Sequence, residues 1–429
     1  MRILITGTTA NSMPPPYAGV PKLILATARL WREKGHEVAI TWRYKPKGAD
    51  DLGAGADYFF EYGGSGQPGK LTKIGFFLKY FFANPALYFS LFNSYKAICP
   101  HGYGEAYLYS AYGVYLDTIC QQWKPDVMLG EAALIKSFMA AEIGKRRGIP
   151  IALDVYSEVR DFSMGVNRFL SDVERKYYWM GLLGRADLVL GMDNCSVELR
   201  AYAREGTLKE FWDTGDYEFF SQPISESRQD LRAHFNLPPD TFLVSAVGSF
   251  ELRKGHDHLI TAVARLVKEG VNAGAVICGG QGNRQKWRDV AKEAGLPEER
   301  LFFFSNISEL ELVKLHHTVD LYTNLSNSPR MCGYDLALAE AMSAGLPVVV
   351  YDNGALSKVI QGDSTNGYVV PMNDIPAAAA AMRKIYEKTP EERTEMGKIS
   401  AAFASTIDLR KTTAIKLGWL EELVVHSKK

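Results

Sequence analysis

The chain has no surplus of charge of either sign: 49 Lys and Arg face 49 Asp and Glu. That balance gives no global field for nucleic acid or an anionic membrane, and leaves room only for a local basic site. A long apolar run is also missing. The nearest, IGFFLKYFFANPALYFSLF (74–92), is interrupted by Lys79 and by Asn84-Pro85, short of the ~18 unbroken residues of a membrane-spanning helix. Cysteine is sparse and unpatterned. Cys99, Cys120, Cys195, Cys278 and Cys332 are odd in number and show neither CxxC nor Cys/His metal spacing, so they read as reduced thiols of a cytoplasmic protein. The opening MRILITGTT carries one arginine before a β-branched run and reads as a strand rather than a signal peptide.

What is present is globular. Apolar residues make up 47% and charged residues 23% of 429 residues, enough chain for two sizeable domains. Short apolar runs alternate with amphipathic helical stretches, the pattern of parallel α/β architecture. RILIT (2–6), EVAIT (37–41), PDVMLG (125–130), IPIALDVY (149–156) and ADLVLGM (186–192) read as strands. The pattern restarts with TFLVSAVGSF (241–250), AGAVICGG (273–280), LFFFSN (301–306), DLYTNLS (320–326) and LPVVVYD (346–352). The polar stretch FSQPISESRQD (220–230) reads as a linker. The expected organisation is two doubly wound domains, 1–222 and 223–410, with a final helix at 412–425 that could dock back on the first. Ligands of such sheets bind beyond the carboxyl ends of the strands.

Four segments carry candidate chemistry. GTTANSMPPPYAGV (7–20) has no GxGxxG, so no dinucleotide fingerprint is present. Its Gly19 either lets a phosphate approach the backbone before a helix or only shapes a Pro-rich turn. In VGSFELRKG (247–255), Arg253 and Lys254 follow a strand; there they meet a diphosphate, Lys as a point charge and Arg as a fork, or form a solvated basic turn. SPRMCGYDLALAEAM (328–342) places Gly333 and a helix N-terminus after another strand, where free N–H groups and the dipole suit an anion. Glu340 lies within that helix among Ala339, Ala341, Met342 and Ala344. Close packing by small residues leaves its carboxylate to face solvent, a partner or a ligand, and two acceptor oxygens suit the cis-diol of a ribose. Lastly, the basic aromatic stretch 70–96 is either a core helix pair or a peripheral, membrane-facing surface in which Phe76, Phe77, Tyr80, Phe81 and Phe82 sit beside Lys70, Lys73 and Lys79.

Taken in order, VGSFELRKGHDHLITAVARL, AGAVICGGQGN, RLFFFSNIS, DLYTNLSNS, GYDLALAEAMSAGLPVVVYDNGA and NGYVVP resemble the retaining glycosyltransferases of family 4. The first half matches more loosely, in AGVPKLILATARLWREKGHEVAI, PDVML, GKRRGIPIALDV, ADLVLGM and TGDYEFFS. The resemblance implies the GT-B fold: α/β, two Rossmann-like doubly wound domains facing a central cleft. It also implies transfer of a sugar from a nucleotide-diphosphate donor to a saccharide or lipid-linked acceptor, with no metal and no other cofactor. By position, Lys254 would hold the diphosphate together with backbone near Gly248, Gly333 and Tyr334, flanked by Asp335 and Leu336. Glu340 is the second glutamate of the family's E-x7-E motif and would grip the ribose. Asn306 and Ile307 fall where backbone reads the base, and Gly19 where the N-terminal loop nears the phosphates.

Three departures accompany the resemblance. Cys332 stands where the motif has its first glutamate, and Ser249 where the diphosphate clamp has an arginine, for which Arg253 or Arg330 could compensate. Glu131 and Tyr156 stand where acceptor-side histidines are expected. An inactive GT-B module that only binds nucleotide or sugar is the alternative function, and a sugar-nucleotide epimerase of the same architecture a third.

Overall fold

Strands covered on both faces need continuous apolar sequence rather than alternation, which is why the short runs of Val, Ile and Leu become parallel sheets. A computed structural model describes residues 1–6, 19–42, 58–61, 70–98, 106–131, 135–155, 160–161, 168–169, 172–192, 196–212, 215–280, 283–327, 335–363 and 365–427. They divide into two units, Met1–Phe211 with Thr412–Lys429, and Trp212–Lys411.

The first unit runs β1 (Arg2–Thr6), α1 (Gly19–Glu33), β2 (Glu37–Trp42), β3 (Tyr58–Glu61), α2 (Lys70–Ala83), α3 (Pro85–Ile98), α4 (Ala106–Trp123), β4 (Val127–Glu131), α5 (Ile135–Arg147) and β5 (Ile151–Val155). A short antiparallel pair, β6 (Arg160–Asp161) and β7 (Arg168–Phe169), comes next. Then follow α6 (Asp172–Leu183), β8 (Leu188–Met192), α7 (Ser196–Tyr202) and β9 (Leu208–Phe211). Its seven-stranded sheet has the order β3-β2-β1-β4-β5-β8-β9. The order reverses between β1 and β4, so the ends of those two strands flank the switch point.

The second unit holds α8 (Tyr217–Phe220), α9 (Arg228–His234), β10 (Phe242–Val247), α10 (His256–Lys268), β11 (Ala273–Gly279), α11 (Arg284–Ala294), β12 (Leu301–Ser305), α12 (Glu309–His316), β13 (Leu321–Asn324), α13 (Leu336–Ser343), β14 (Val348–Tyr351), β15 (Gly367–Val370), α14 (Ile375–Tyr386) and α15 (Pro390–Thr406). Its six strands lie in the order β12-β11-β10-β13-β14-β15, with the switch point between β10 and β13. Side chains of β10, β11, α10 and α14 form the core, among them Val244, Ile277, Leu259, Ile260, Val263 and Met382. Helix starts follow capping chemistry: Ser227, Asn283, Ser308, Asp335, Asp374 and Thr389 each accept a backbone N–H of the first turn.

The doubly wound architecture is the one the sequence implies. Two edge strands, β3 and β9, lie outside that reading. Both have four residues, and in β9 two adjacent exposed residues, Lys209 and Glu210, precede buried Phe211, so no apolar run marks it. The stretch 220–230 is built into the second unit rather than bridging to it: Phe220 and Leu231 are buried and Ser227 caps α9. The aromatic stretch is a helix pair, α2 and α3, broken at Asn84, whose side chain accepts the Leu87 N–H. Tyr80, Tyr88, Leu91 and Tyr95 are buried, whereas Leu71, Ile74, Leu78, Phe82 and Phe89 stay exposed. Among the described residues no helix is long and apolar enough to cross a membrane.

A last helix, α16 (Leu409–Ser427), begins in the second unit and ends in the first. Within the first, Trp31 Nε1 donates to the Thr413 carbonyl at 2.9 Å. Lys416 Nζ lies 2.7 Å from Asp154 Oδ2, both side chains being 1% exposed, and 4.0 Å from the Phe211 ring centroid. Removing one partner of a buried pair strands the other charge in low dielectric. Lys416→Met is therefore expected to destabilise the first unit by about 3–5 kcal/mol in urea denaturation, and the double variant Lys416→Met/Asp154→Leu to recover most of the loss.

Candidate functional site

The switch point of the second sheet gathers most of the residues singled out from the sequence. After β10 the chain passes Gly248 and Ser249 and makes a single 3-10 turn, Leu252–Lys254. Gly255 ends that turn at φ 68, where a Cβ would lie 1.9 Å from the Leu325 carbonyl oxygen; only glycine fits there. This turn folds Lys254 back along the strand end, with its methylenes against Gly248. On the neighbouring strand a Cβ at Gly279 would meet the Gly248 carbonyl oxygen at 2.2 Å, so the β10 and β11 ends close tightly beneath the loop.

Lys254 Nζ lies 3.0 Å from Asp335 Oδ2, and the two side chains are 17% and 12% exposed. Asp335 is the N-cap of α13, its Oδ1 accepting the Ala337 N–H at 3.0 Å. Burial alone would raise the Asp335 carboxyl, but the Lys254 ammonium, the Ala337 amide and the Asn324 side chain hold it below the usual carboxylate range. Glu340 is the fifth residue of α13 and is buried. Its Cγ would lie 3.1 Å from a Cβ on Gly215. Buried Cys278 and Tyr322 both lie within reach of its charge. Burial, with Glu340 nearby, pushes the Cys278 thiol up to about 12. Burial, with Asp335 and Glu340, raises the Tyr322 phenol.

The rest of the turn is internally paired. Arg253 Nε meets Glu251 Oε2 at 2.5 Å, and Ser249 Oγ donates to Glu251 Oε1 at 2.8 Å. His256, 1% exposed, holds the Ser249 carbonyl through Nε2 at 3.1 Å. Leu336 opens α13, and Asn306, at φ 57, and Ile307 follow β12 at the sheet's edge. In the first unit Glu131 ends β4 at 3% exposure, in register with Asp154 of β5, and Gly19 opens α1. Tyr156, Arg330, Cys332, Gly333 and Tyr334 lie outside the described residues.

The structure thus joins Gly248, Ser249, Lys254, Asp335 and Glu340 around one strand-end crevice and assigns Gly19 and Glu131 to the other unit. Sequence reading missed Glu251, His256, Tyr322, Cys278 and Gly215 as its walls. All five lie within stretches that the resemblance covers, VGSFELRKGHDH, AGAVICGG, DLYTNLS and TGDYEFF, but none stands out there by residue type. Among the described residues no group of three or more His, Cys, Asp or Glu side chains could hold a metal ion.

Comparison with known proteins places this geometry. The fold is that of the GT-B glycosyltransferases. Sucrose-phosphate synthase of Thermosynechococcus elongatus superposes with TM-score 0.71 at 17% identity, over 100% of both chains. Anabaena HepE in complex with UDP and glucose does so with TM-score 0.70 at 15% identity, over 98% of this chain and 100% of its own. At such identities the likeness is one of fold. Residues 227–402, about two fifths of the chain, match the family Glycosyl transferases group 1. The D-inositol 3-phosphate glycosyltransferase of Mycolicibacterium smegmatis is 29% identical over 188 residues, 42% of each chain. The GDP-mannose-dependent alpha-(1-6)-phosphatidylinositol monomannoside mannosyltransferase of Mycobacterium tuberculosis is 25% identical over 169 residues, 38% of this chain and 43% of its own. The matches span about two fifths of the length of these curated relatives.

Two predictions come from the walls of the crevice. Gly215→Ala places a methyl group against Glu340 and is expected to destabilise the second unit by about 1–3 kcal/mol, read from its urea midpoint. Burial lowers the His256 pKa below its ordinary 6.5, so near that pH the unfolded chain binds more protons there than the folded one. Stability falls as pH drops through 6.5, with His317, also lowered by burial, acting in the same sense. His256→Gln keeps a donor for the Ser249 carbonyl and should flatten part of the stability loss between about pH 7.5 and 5.5.

Proposed function

We propose that the protein is a retaining glycosyltransferase that moves a sugar from a UDP- or GDP-sugar to a saccharide or lipid-linked acceptor in polysaccharide or glycoconjugate synthesis. The observation that carries this reading is the pairing of Lys254 with the N-cap of α13, the helix that carries Glu340, at the β10–β13 switch point and inside the segment matched by the family. An ammonium and helix N–H groups are what a leaving diphosphate needs as the sugar–phosphate bond breaks. Lys254 would draw off the developing charge and Glu340 would take the ribose hydroxyls, without a metal. The order of motifs supports retention. The names of the relatives support mannosyl or related donors and lipid-linked acceptors, and the UDP-bound neighbour supports a uridine donor equally.

In the first unit, Glu131 at the β1–β4 switch point stands for the acceptor side, together with Tyr156, the next residue in sequence after β5. The exposed row Leu71, Ile74, Leu78, Phe82 and Phe89, with Lys70, Lys73 and Lys79 on the same helix pair, supports a peripheral membrane contact that brings a lipid-linked acceptor close.

The protein incubated with a panel of UDP- and GDP-sugars and lipid-linked saccharides is expected to release nucleotide with one donor. Nucleotide binding with no release from any pair would favour the inactive binding module instead. Glu340→Ala is expected to weaken nucleotide binding by about 1.5–3 kcal/mol, which is on the order of ten- to a hundredfold in Kd. Isothermal titration that finds normal affinity would remove the ribose assignment.

A further inference from the structure

The crevice already contains an anion of its own. Lys254 is bound to Asp335 at 3.0 Å, and the same carboxylate takes an N–H of the first turn of α13 through its other oxygen. Those are two of the groups that a ligand phosphate would use. Asn324 bonds to it as well, so the carboxylate is held on three sides. The one other cation of the turn, Arg253, is bound to Glu251 at 2.5 Å. Among the described residues the turn and the helix start therefore match cation to carboxylate one for one, and Glu340 adds a further acidic side chain. A diphosphate arriving at Lys254 meets a carboxylate at hydrogen-bond range in a largely buried setting, where like charges repel more strongly than in water.

We infer that Asp335 occupies the phosphate seat when the site is free, and that nucleotide binds by displacing it from Lys254. The inference rests on the nucleotide-sugar reading above and adds a role that this reading leaves out. The displaced carboxylate competes for Lys254 for as long as ligand is bound. It therefore lowers the affinity for the nucleoside diphosphate and speeds its departure after transfer, when the charge of the free diphosphate exceeds that of the sugar-linked donor. Lysine suits this exchange: its ammonium is a point charge on a flexible stem with three rotatable donors, and it can change partners without losing a fixed fork geometry.

The substitution that isolates this role is Asp335→Asn. Asparagine caps a helix about as well as aspartate, so α13 keeps its start while the competing charge is gone. Isothermal titration of wild type, Asp335→Asn, Lys254→Met and the double variant with UDP, GDP and pyrophosphate is expected to show roughly tenfold tighter binding for Asp335→Asn. In stopped-flow measurements most of the gain should appear as slower dissociation, and the gain should vanish in the Lys254→Met background. Asp335→Ser, a second capping residue without charge, should behave like Asp335→Asn and stands in for it if the asparagine variant does not fold. Wild type that binds nucleotide while Asp335→Asn or Asp335→Ser binds it equally or more weakly would overturn the inference alone, because Asp335 would then be orienting Lys254 for the ligand. Folded protein that binds none of the three probes in any variant would overturn the nucleotide reading and the inference with it.

Discussion

A strand in a parallel sheet cannot return by a tight turn. Each connection has to cross over, usually through a helix, so the carboxyl ends of all strands gather along one edge of the sheet. Where the strand order reverses, the outgoing loops diverge to opposite faces and leave a crevice. This constraint places the chemistry of both units. In the second, β10 and β13 flank the reversal, and their outgoing loops deliver Lys254 and the start of α13. In the first, β1 and β4 flank it, and Gly19 and Glu131 follow from those strands. Residues 81 positions apart in sequence meet at 3.0 Å because the topology leaves them no other edge to occupy.

Polar groups near either end of such strands are partly or wholly inside the protein, and each carboxylate has to be matched. Three buried pairs do this in different ways. Asp154 is neutralised by Lys416 of the last helix. Asp320, before β13, takes Arg232 and Arg228 while also accepting the Leu243 N–H. Arg232 further donates to the Thr318 carbonyl. That arrangement uses the guanidinium's several fixed donors at once, and it pins α9 to the amino-terminal side of the sheet, away from the crevice. Asp335 and Lys254 make the third pair at the carboxyl-terminal side. Position and chemistry differ together: the multidentate arginine pair is a staple, and the single-contact lysine pair lies where a ligand can replace one partner.

The sequence showed the sheets because buried parallel strands must be apolar throughout, and runs such as VVVY and FLVSAV admit no other fold with alternating helices. It marked Lys254 as a candidate because that residue follows a strand, and Glu340 because a carboxylate stands out on a helix of small residues. It did not show that Lys254 and Asp335 pair, since spacing along the chain says nothing about which loops of a doubly wound sheet converge until the strand order is known. Edge strand β9 was illegible for a related reason: it is short and carries exposed Lys209 and Glu210, and so lacks the apolar signature of its inner neighbours. Burial of His256 was illegible too, because a histidine after Lys-Gly reads as surface until Gly255 turns the chain inward beneath Leu325.

The floor under Glu340 ties the crevice to the connections between the units. Residues 215–218 lie just after the chain leaves the first unit, and residues 408–411 just before it returns. In the second unit these two segments are bound to each other: the Leu409 N–H donates to the Gly215 carbonyl at 3.3 Å, the Tyr217 N–H to Asp408 Oδ1 at 3.0 Å, and Arg410 Nε meets Glu218 at 2.9 Å. Gly215, the middle of this clasp, is also the residue against which the Glu340 side chain packs. A side chain there would have to push either the carboxylate or the connection aside. Glycine therefore serves packing rather than turn geometry at this position, as its φ does not lie in the left-handed region. The carboxylate that stands out on a helix of small residues packs against Gly215, in the stretch where the chain enters the second unit.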